Sequence, residues 1–175
     1  YLLKIAASLD VAILIKFFLD VYRWTGHTYT CENKGEVMGM RQKPARLKKG
    51  DTIGIISPSG PYRDGQLEKA IPFLQKLGLN YKLGKHASNR WGYLAGKDEE
   101  RWADLHDMFT DPDIAGIICS RGGYGAARFT DKIDFELIRN NPKVFWGYSD
   151  ITFLHTSFGQ LANLATFHGP MLTSD

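Results

Sequence analysis

Two cysteines, Cys31 and Cys119, are all that this chain of 175 residues holds. They lie far apart in sequence and in different contexts, and nothing suggests a disulfide framework or a zinc site. Cys119 closes an apolar run and is expected to be a reduced, buried thiol. The five histidines (27, 86, 106, 155 and 168) show no metal-ligand spacing. No metal or other cofactor is therefore expected. Charge of one sign is also scarce, with a net charge of +3. Basic residues are scattered apart from Arg41–Lys49, so nucleic acid is not an expected partner. No uncharged apolar run approaches the ~20 residues of a bilayer span, and no membrane partner is expected. A basic start, clean apolar centre and small-residue cleavage site are likewise missing, so no signal peptide is evident.

What is present is a soluble, globular composition, 43% hydrophobic and 23% charged, long enough for one domain with a substantial core. Residues 1–40 differ from the rest. Their apolar stretch is broken by Lys4, Asp10, Lys16 and Asp20, and the pattern suggests an amphipathic helix and a polar connector. This segment is expected to be an extension outside the fold, with the domain at 41–175. The chain opens on Tyr1 rather than Met and stops just after an apolar strand and a turn, so both ends are expected to be cuts in a longer protein.

From Arg41 onward strands and helices alternate. Thr52–Ser57, Leu79–Leu83, Ile114–Cys119, Val144–Tyr148 and Leu164–Phe167 have the apolar, β-branched content of strands. Gln66–Leu77, Asp98–Phe109 and Ile151–Leu161 have helical spacing, with shorter helices near Ala126–Phe129 and Phe135–Arg139. This order predicts an α/β fold, an open and mostly parallel sheet with helices on both faces, of flavodoxin-like type. Ligand sites in such sheets lie beyond the carboxyl ends of the strands. Three glycine-containing loops occupy that edge: Pro58–Pro61, Arg121–Gly125 and Gly147–Asp150.

Gly147-Tyr148-Ser149-Asp150 is the most informative of them. An apolar strand precedes it and an apolar helix follows. A serine at such a junction sits on a sharp turn, with free backbone N–H groups at the helix start that can stabilise an oxyanion. Ser149 is therefore a candidate nucleophile with strained φ,ψ. The local sequence also fits a plain helix cap by Ser149 or Asp150. Arg121-Gly122-Gly123-Tyr124-Gly125 offers backbone N–H groups that fit a phosphate cradle, a second oxyanion donor facing Ser149, or a tight turn with no ligand. It is neither a Walker loop nor G-x-G-x-x-G. Arg121 suits a substrate carboxylate or a nearby acid, and Ser59 is a second candidate substrate contact.

Taken together, KPARLKKGDTIGIISPSGP (43–61), GYLAGKDEERWADLHDMFTDPDIAGIICSRGGYGAARF (92–129), VFWGYSDITFLHTSF (144–158) and FHGPM (167–171) resemble the N-terminal half of the LD-carboxypeptidase family. That family includes cytoplasmic muramoyltetrapeptide carboxypeptidases and microcin C self-immunity proteins. The resemblance implies Ser149 as nucleophile, with an oxyanion hole from the N–H of Asp150 and one from Gly122 or Gly123. It implies metal-free removal of terminal D-alanine across the L,D-peptide bond of a murein tetrapeptide, in the cytoplasm, during wall recycling. The family's catalytic glutamate and histidine reside in a C-terminal domain, which the resemblance places outside this chain. Without a base the chain is expected to be inactive alone, and its docking face to favour self-association or a homodimer. The alternatives are a flavodoxin-like module that binds a phosphorylated or peptidoglycan-derived ligand, or a microcin C-type peptidase. Among local histidines, His155 is expected to point down its helix away from the elbow. His168 is expected to be a hydrogen-bonded turn residue, and His86 and His106 loop and surface residues.

Overall fold

Thr52–Ile56 has apolar side chains on both of its faces, so the strand is stable only if covered on both sides. It becomes β1, near the middle of a five-stranded parallel sheet of order β2-β1-β3-β4-β5. The computed structural model describes residues 41 to 173. The expectations for residues 1–40 lie outside the described residues. The other strands are β2 (Asn80–Leu83), β3 (Ile114–Cys119), β4 (Val144–Gly147) and β5 (Phe167–His168).

Helices α1 (Gln66–Lys76), α2 (Asp98–Thr110), α3 (Phe135–Asn140) and α4 (Thr152–Leu161) connect them, with 3-10 turns at Ala126–Lys132 and Ser149–Ile151. Alternation along the strands sorts the core into two layers. Ile53, Ile55 and Val144 pack with Leu67 and Leu74 of α1. Ile56, Ile117, Cys119 and Phe145 pack with Leu105, Met108 and Phe109 of α2 and with Leu154 and Phe158 of α4. Helices therefore cover both faces, as the sequence pattern predicts. Cys119 is a free, fully buried thiol whose pKa burial pushes well up. No helix among the described residues is long and apolar enough to cross a membrane.

Local chemistry fixes the helix ends. After α1, Gly78 adopts φ +75, the Gly78 N–H donates to Gln75 O and the Leu79 N–H to Leu74 O. This is a Schellman stop, which requires the left-handed conformation that glycine takes without a Cβ clash. At α2, Asp98, Glu99 and Glu100 complement the positive end of the helix dipole, and the Glu100 carboxylate accepts the Lys97 N–H at 2.7 Å.

One strand differs from its sequence expectation. Leu164–Phe167 is replaced by the two-residue β5, and Leu164 instead bridges Gln42. The cause lies at the end of α4. Asn163 takes φ 55, the Leu164 N–H returns to Phe158 O at 3.0 Å, and the Ala165 N–H donates to Gln42 O at 2.9 Å. The backbone of 163–165 is committed to ending the helix and pairing with the domain's first described residues. Sheet pairing to β4 begins only at Phe167, opposite Trp146.

Candidate active site

The carboxyl ends of β1, β3 and β4 bring the three glycine loops together. The Gly60 N–H donates to Gly122 O at 3.1 Å, joining the first loop to the second. Gly123 takes φ +133, and a Cβ there would lie 3.0 Å from Gly60 N, so only glycine fits this crossing. Neither the Gly122 nor the Gly123 N–H finds an acceptor among the described residues.

Ser149 stands on the third loop, between β4 and the 3-10 turn that leads into α4. Its φ of 64 places a non-glycine residue in the left-handed region, as expected of a strained elbow. The residue is exposed, and its hydroxyl makes no hydrogen bond among the described residues. Gly122 lies directly against it, because a Cβ built on the glycine would sit 3.1 Å from Ser149 Oγ. The Asp150 N–H follows in the first turn, where helical N–H groups lack intrahelical acceptors. The elbow serine, the Gly122-Gly123 backbone and the Asp150 backbone thus converge.

The other sequence candidates occupy different positions. Arg121 extends to the first loop, donating from Nη1 to Pro61 O at 3.1 Å. Ser59 is fully buried and donates to Asp150 Oδ2 at 2.6 Å, so it belongs to the loop framework beneath the surface. His155 lies under the elbow. Its Nε2 bonds Gly147 O at 2.9 Å, its buried Nδ1 has no partner among the described residues, and burial lowers its pKa. The ring therefore carries its proton on Nε2, directed at a carbonyl and not at Ser149.

His168 corrects an expectation. Its ring makes no hydrogen bond among the described residues; it is exposed and stands edge-on to Tyr148, with centroids 6.2 Å apart. His86 and His106 are more engaged than loop and surface residues. The His86 N–H and Nδ1 both bond the buried Asp104 carboxylate, whose pKa burial raises. His106 Nε2 accepts the Asp134 N–H at 3.0 Å.

Arg101 was not legible as part of this framework. Only 2% exposed, it donates from Nη1 to Pro58 O at 2.7 Å and to Gly125 O at 2.9 Å, and pairs with Asp98. It therefore braces the first and second loops from beneath. Burial lowers its pKa while Asp98 opposes the shift. No group of three or more metal-ligating side chains occurs among the described residues.

The family model described as the LD-carboxypeptidase N-terminal domain matches residues 53–169. The probable murein peptide carboxypeptidase of Bacillus subtilis (strain 168) is 53% identical over 139 residues, covering 79% of this chain and 44% of that protein. The murein tetrapeptide carboxypeptidase of Pseudomonas aeruginosa is 36% identical over 122 residues, covering 69% of this chain and 39% of that protein. The crystal structure of an MccF-like protein from Bacillus anthracis superposes with a TM-score of 0.73 at 35% identity, covering 75% of this chain and 41% of that one. The chain thus spans less than half the length of these relatives.

Proposed function

The chain belongs to the LD-carboxypeptidase family through its N-terminal domain, and on that premise we propose that it carries the nucleophile half of a serine carboxypeptidase. The substrate is a peptidoglycan tetrapeptide, the bond cleaved is the L,D-peptide bond to the terminal D-alanine, and the setting is cytoplasmic wall recycling. The observation that carries this reading is the exposed Ser149 hydroxyl on a strained elbow, with Gly122 against it.

In this mechanism Ser149 Oγ attacks the carbonyl carbon. The oxyanion that forms accepts from the Asp150 N–H and from Gly122 or Gly123, the largest stabilisation that such sites supply. Collapse breaks the C–N bond, D-alanine leaves with a proton, and water then hydrolyses the acyl-enzyme. The base is the missing part. His155 is committed to Gly147 O, and neither His155 nor His168 is hydrogen-bonded to Ser149. The remaining length of the relatives is where we place the glutamate and histidine of the triad. Residues 1–40 stay outside this machinery in the same reading.

D-Alanine release from murein tetrapeptide tests the reading. The full reading frame should release it, Ser149→Ala should abolish release, and the 175-residue chain alone should fall ~10⁴- to 10⁶-fold short. Release that survives Ser149→Ala overturns the nucleophile. Robust release by the chain alone, lost on His168→Ala, moves the base into this half. Similarity to a microcin C7 self-immunity protein solved in complex with aspartyl sulfamoyl adenosine favours a second substrate class, an aminoacyl nucleotide, for the same serine. The same assay with that substrate decides between them.

A further inference from the structure

One oxygen of Asp150 joins three loops. Oδ2 accepts from Ser59 Oγ at 2.6 Å and from the Ala126 N–H at 2.9 Å. Ser59 lies just beyond β1, and Ala126 opens the 3-10 turn beyond the glycine loop of β3. Both are fully buried. Asp150 itself belongs to the elbow, immediately after Ser149. The other ties between the first two loops, from Gly60 to Gly122, from Arg121 to Pro61 and from Arg101 to Pro58 and Gly125, bypass the elbow. Among the described residues, no other side-chain hydrogen bond runs from the elbow to either loop.

A serine at positive φ persists only where its surroundings over-determine it. Asp150 supplies the bonds that do so, and a carboxylate accepts them more strongly than a neutral oxygen. Its position matters for a second reason: the residue that makes the tie also offers a backbone N–H to the site. We propose that Asp150 is a positioning residue, whose carboxylate locks the elbow to the Ser59 and Ala126 loops. It thereby fixes its own N–H, and those of Gly122 and Gly123, around the serine. The proposal rests on Ser149 being the nucleophile.

The test uses the full-length protein with Asp150→Ala, Asp150→Asn and Ser59→Ala. Two measurements are made: the rate of labelling by a serine-directed fluorophosphonate, and amide hydrogen exchange at Ala126. Asp150→Ala should slow labelling by about 10²-fold, the order lost with an oxyanion donor, and should expose the Ala126 amide to exchange. Asp150→Asn keeps an acceptor oxygen. It should retain Ala126 protection and recover labelling to within roughly tenfold of the parent. Ser59→Ala removes one of the two donors and should fall between. If Asp150→Ala fails to fold, the Asn and Ser59 variants carry the comparison. Unchanged labelling in Asp150→Ala or, failing that, in Ser59→Ala overturns the proposal, as does an Asn variant labelled about 10²-fold slowly with Ala126 still protected. A Ser149→Ala control that still labels removes the nucleophile reading instead, while Ala126 exchange continues to decide whether Asp150 locks the loops.

Discussion

Gly122 faces Ser149 at the limit of contact: a Cβ on the glycine would lie 3.0 Å from Ser149 Cβ and 3.1 Å from its Oγ. The absence of a side chain at 122 is thus what leaves the serine hydroxyl room to approach a ligand and the backbone N–H groups beside it.

Gly122→Ala should accordingly lose activity more than stability. The added methyl displaces the Ser149 side chain, and a misplacement of about 1 Å at a reacting centre costs ~10²-fold in rate. The overpacking itself costs about 1–3 kcal/mol. D-Alanine release by the full-length variant, set beside its urea melt, checks both figures. Wild-type turnover would remove Gly122 from the wall of the site.

Ser149→Gly should make the protein more stable while abolishing its chemistry. Glycine adopts φ 64 without the Cβ clash that serine suffers. The expected gain is about 0.5–1 kcal/mol after the entropy of the unfolded glycine is subtracted. Ser149→Ala removes the hydroxyl but keeps the Cβ, and so should gain nothing. Thermal melts of the two variants side by side isolate the strain from the chemistry.

Arg101 and Arg128 both meet Asp98, but their losses should differ severalfold. Arg101→Ala leaves Pro58 O and Gly125 O without their buried donor, a change that typically costs about 3–5 kcal/mol. Arg128 is half exposed and its ion pair is screened by solvent, so Arg128→Ala should cost far less. Chemical denaturation of each variant measures the pair.

Two half-buried imidazoles set a pH dependence. Burial lowers the pKa of both His155 and His106 in the fold. Below about pH 6.5 the unfolded chain takes up protons that the folded rings resist. Their contribution is therefore whole above about 6.5 and declines as the pH falls toward the depressed folded values. Asp104 runs the other way: burial raises its carboxyl pKa, so its contribution is lost as the pH rises through that value. Unfolding free energy should fall as the pH drops below about 6.5, and His155→Gln, which keeps a donor for Gly147 O, should flatten the slope.

The sheet and the elbow were legible because their signals are local. Apolar runs mark β1, β3 and β4, and a serine between a strand and a helix announces its own backbone. Arg101 was not legible. In Asp98–Thr110 it resembles one more charge on an acidic helix, and its burial depends on carbonyls 43 and 24 residues away. The tie from Asp150 to Ser59 spans 91 residues and has no periodicity to betray it. Ser59 and His168 illustrate the same limit: position at the sheet's carboxyl edge was foreseeable, but which side chains turn inward was set by partners distant in sequence. The expected strand at Leu164–Phe167 shrinks to β5 because its first residues fit a strand by composition, while the backbone of 163–165 ends a helix.

The carbonyl of Gly147 receives two donors, His155 Nε2 at 2.9 Å and the Gly169 N–H at 3.1 Å. Beside it, Trp146 Nε1 donates to Pro170 O at 2.7 Å. The segment after β5 is thus pinned to the last two residues of β4, only two positions before Ser149. Three positions beyond Pro170 the anchorage changes strand, because the Thr173 N–H and hydroxyl both donate to Ser120 O at the end of β3. Residues 169 and 170 therefore couple to Ser149 through β4, while Thr173 couples to the neighbouring strand, and a shift of the short span between them would be felt at the elbow as a mechanical linkage.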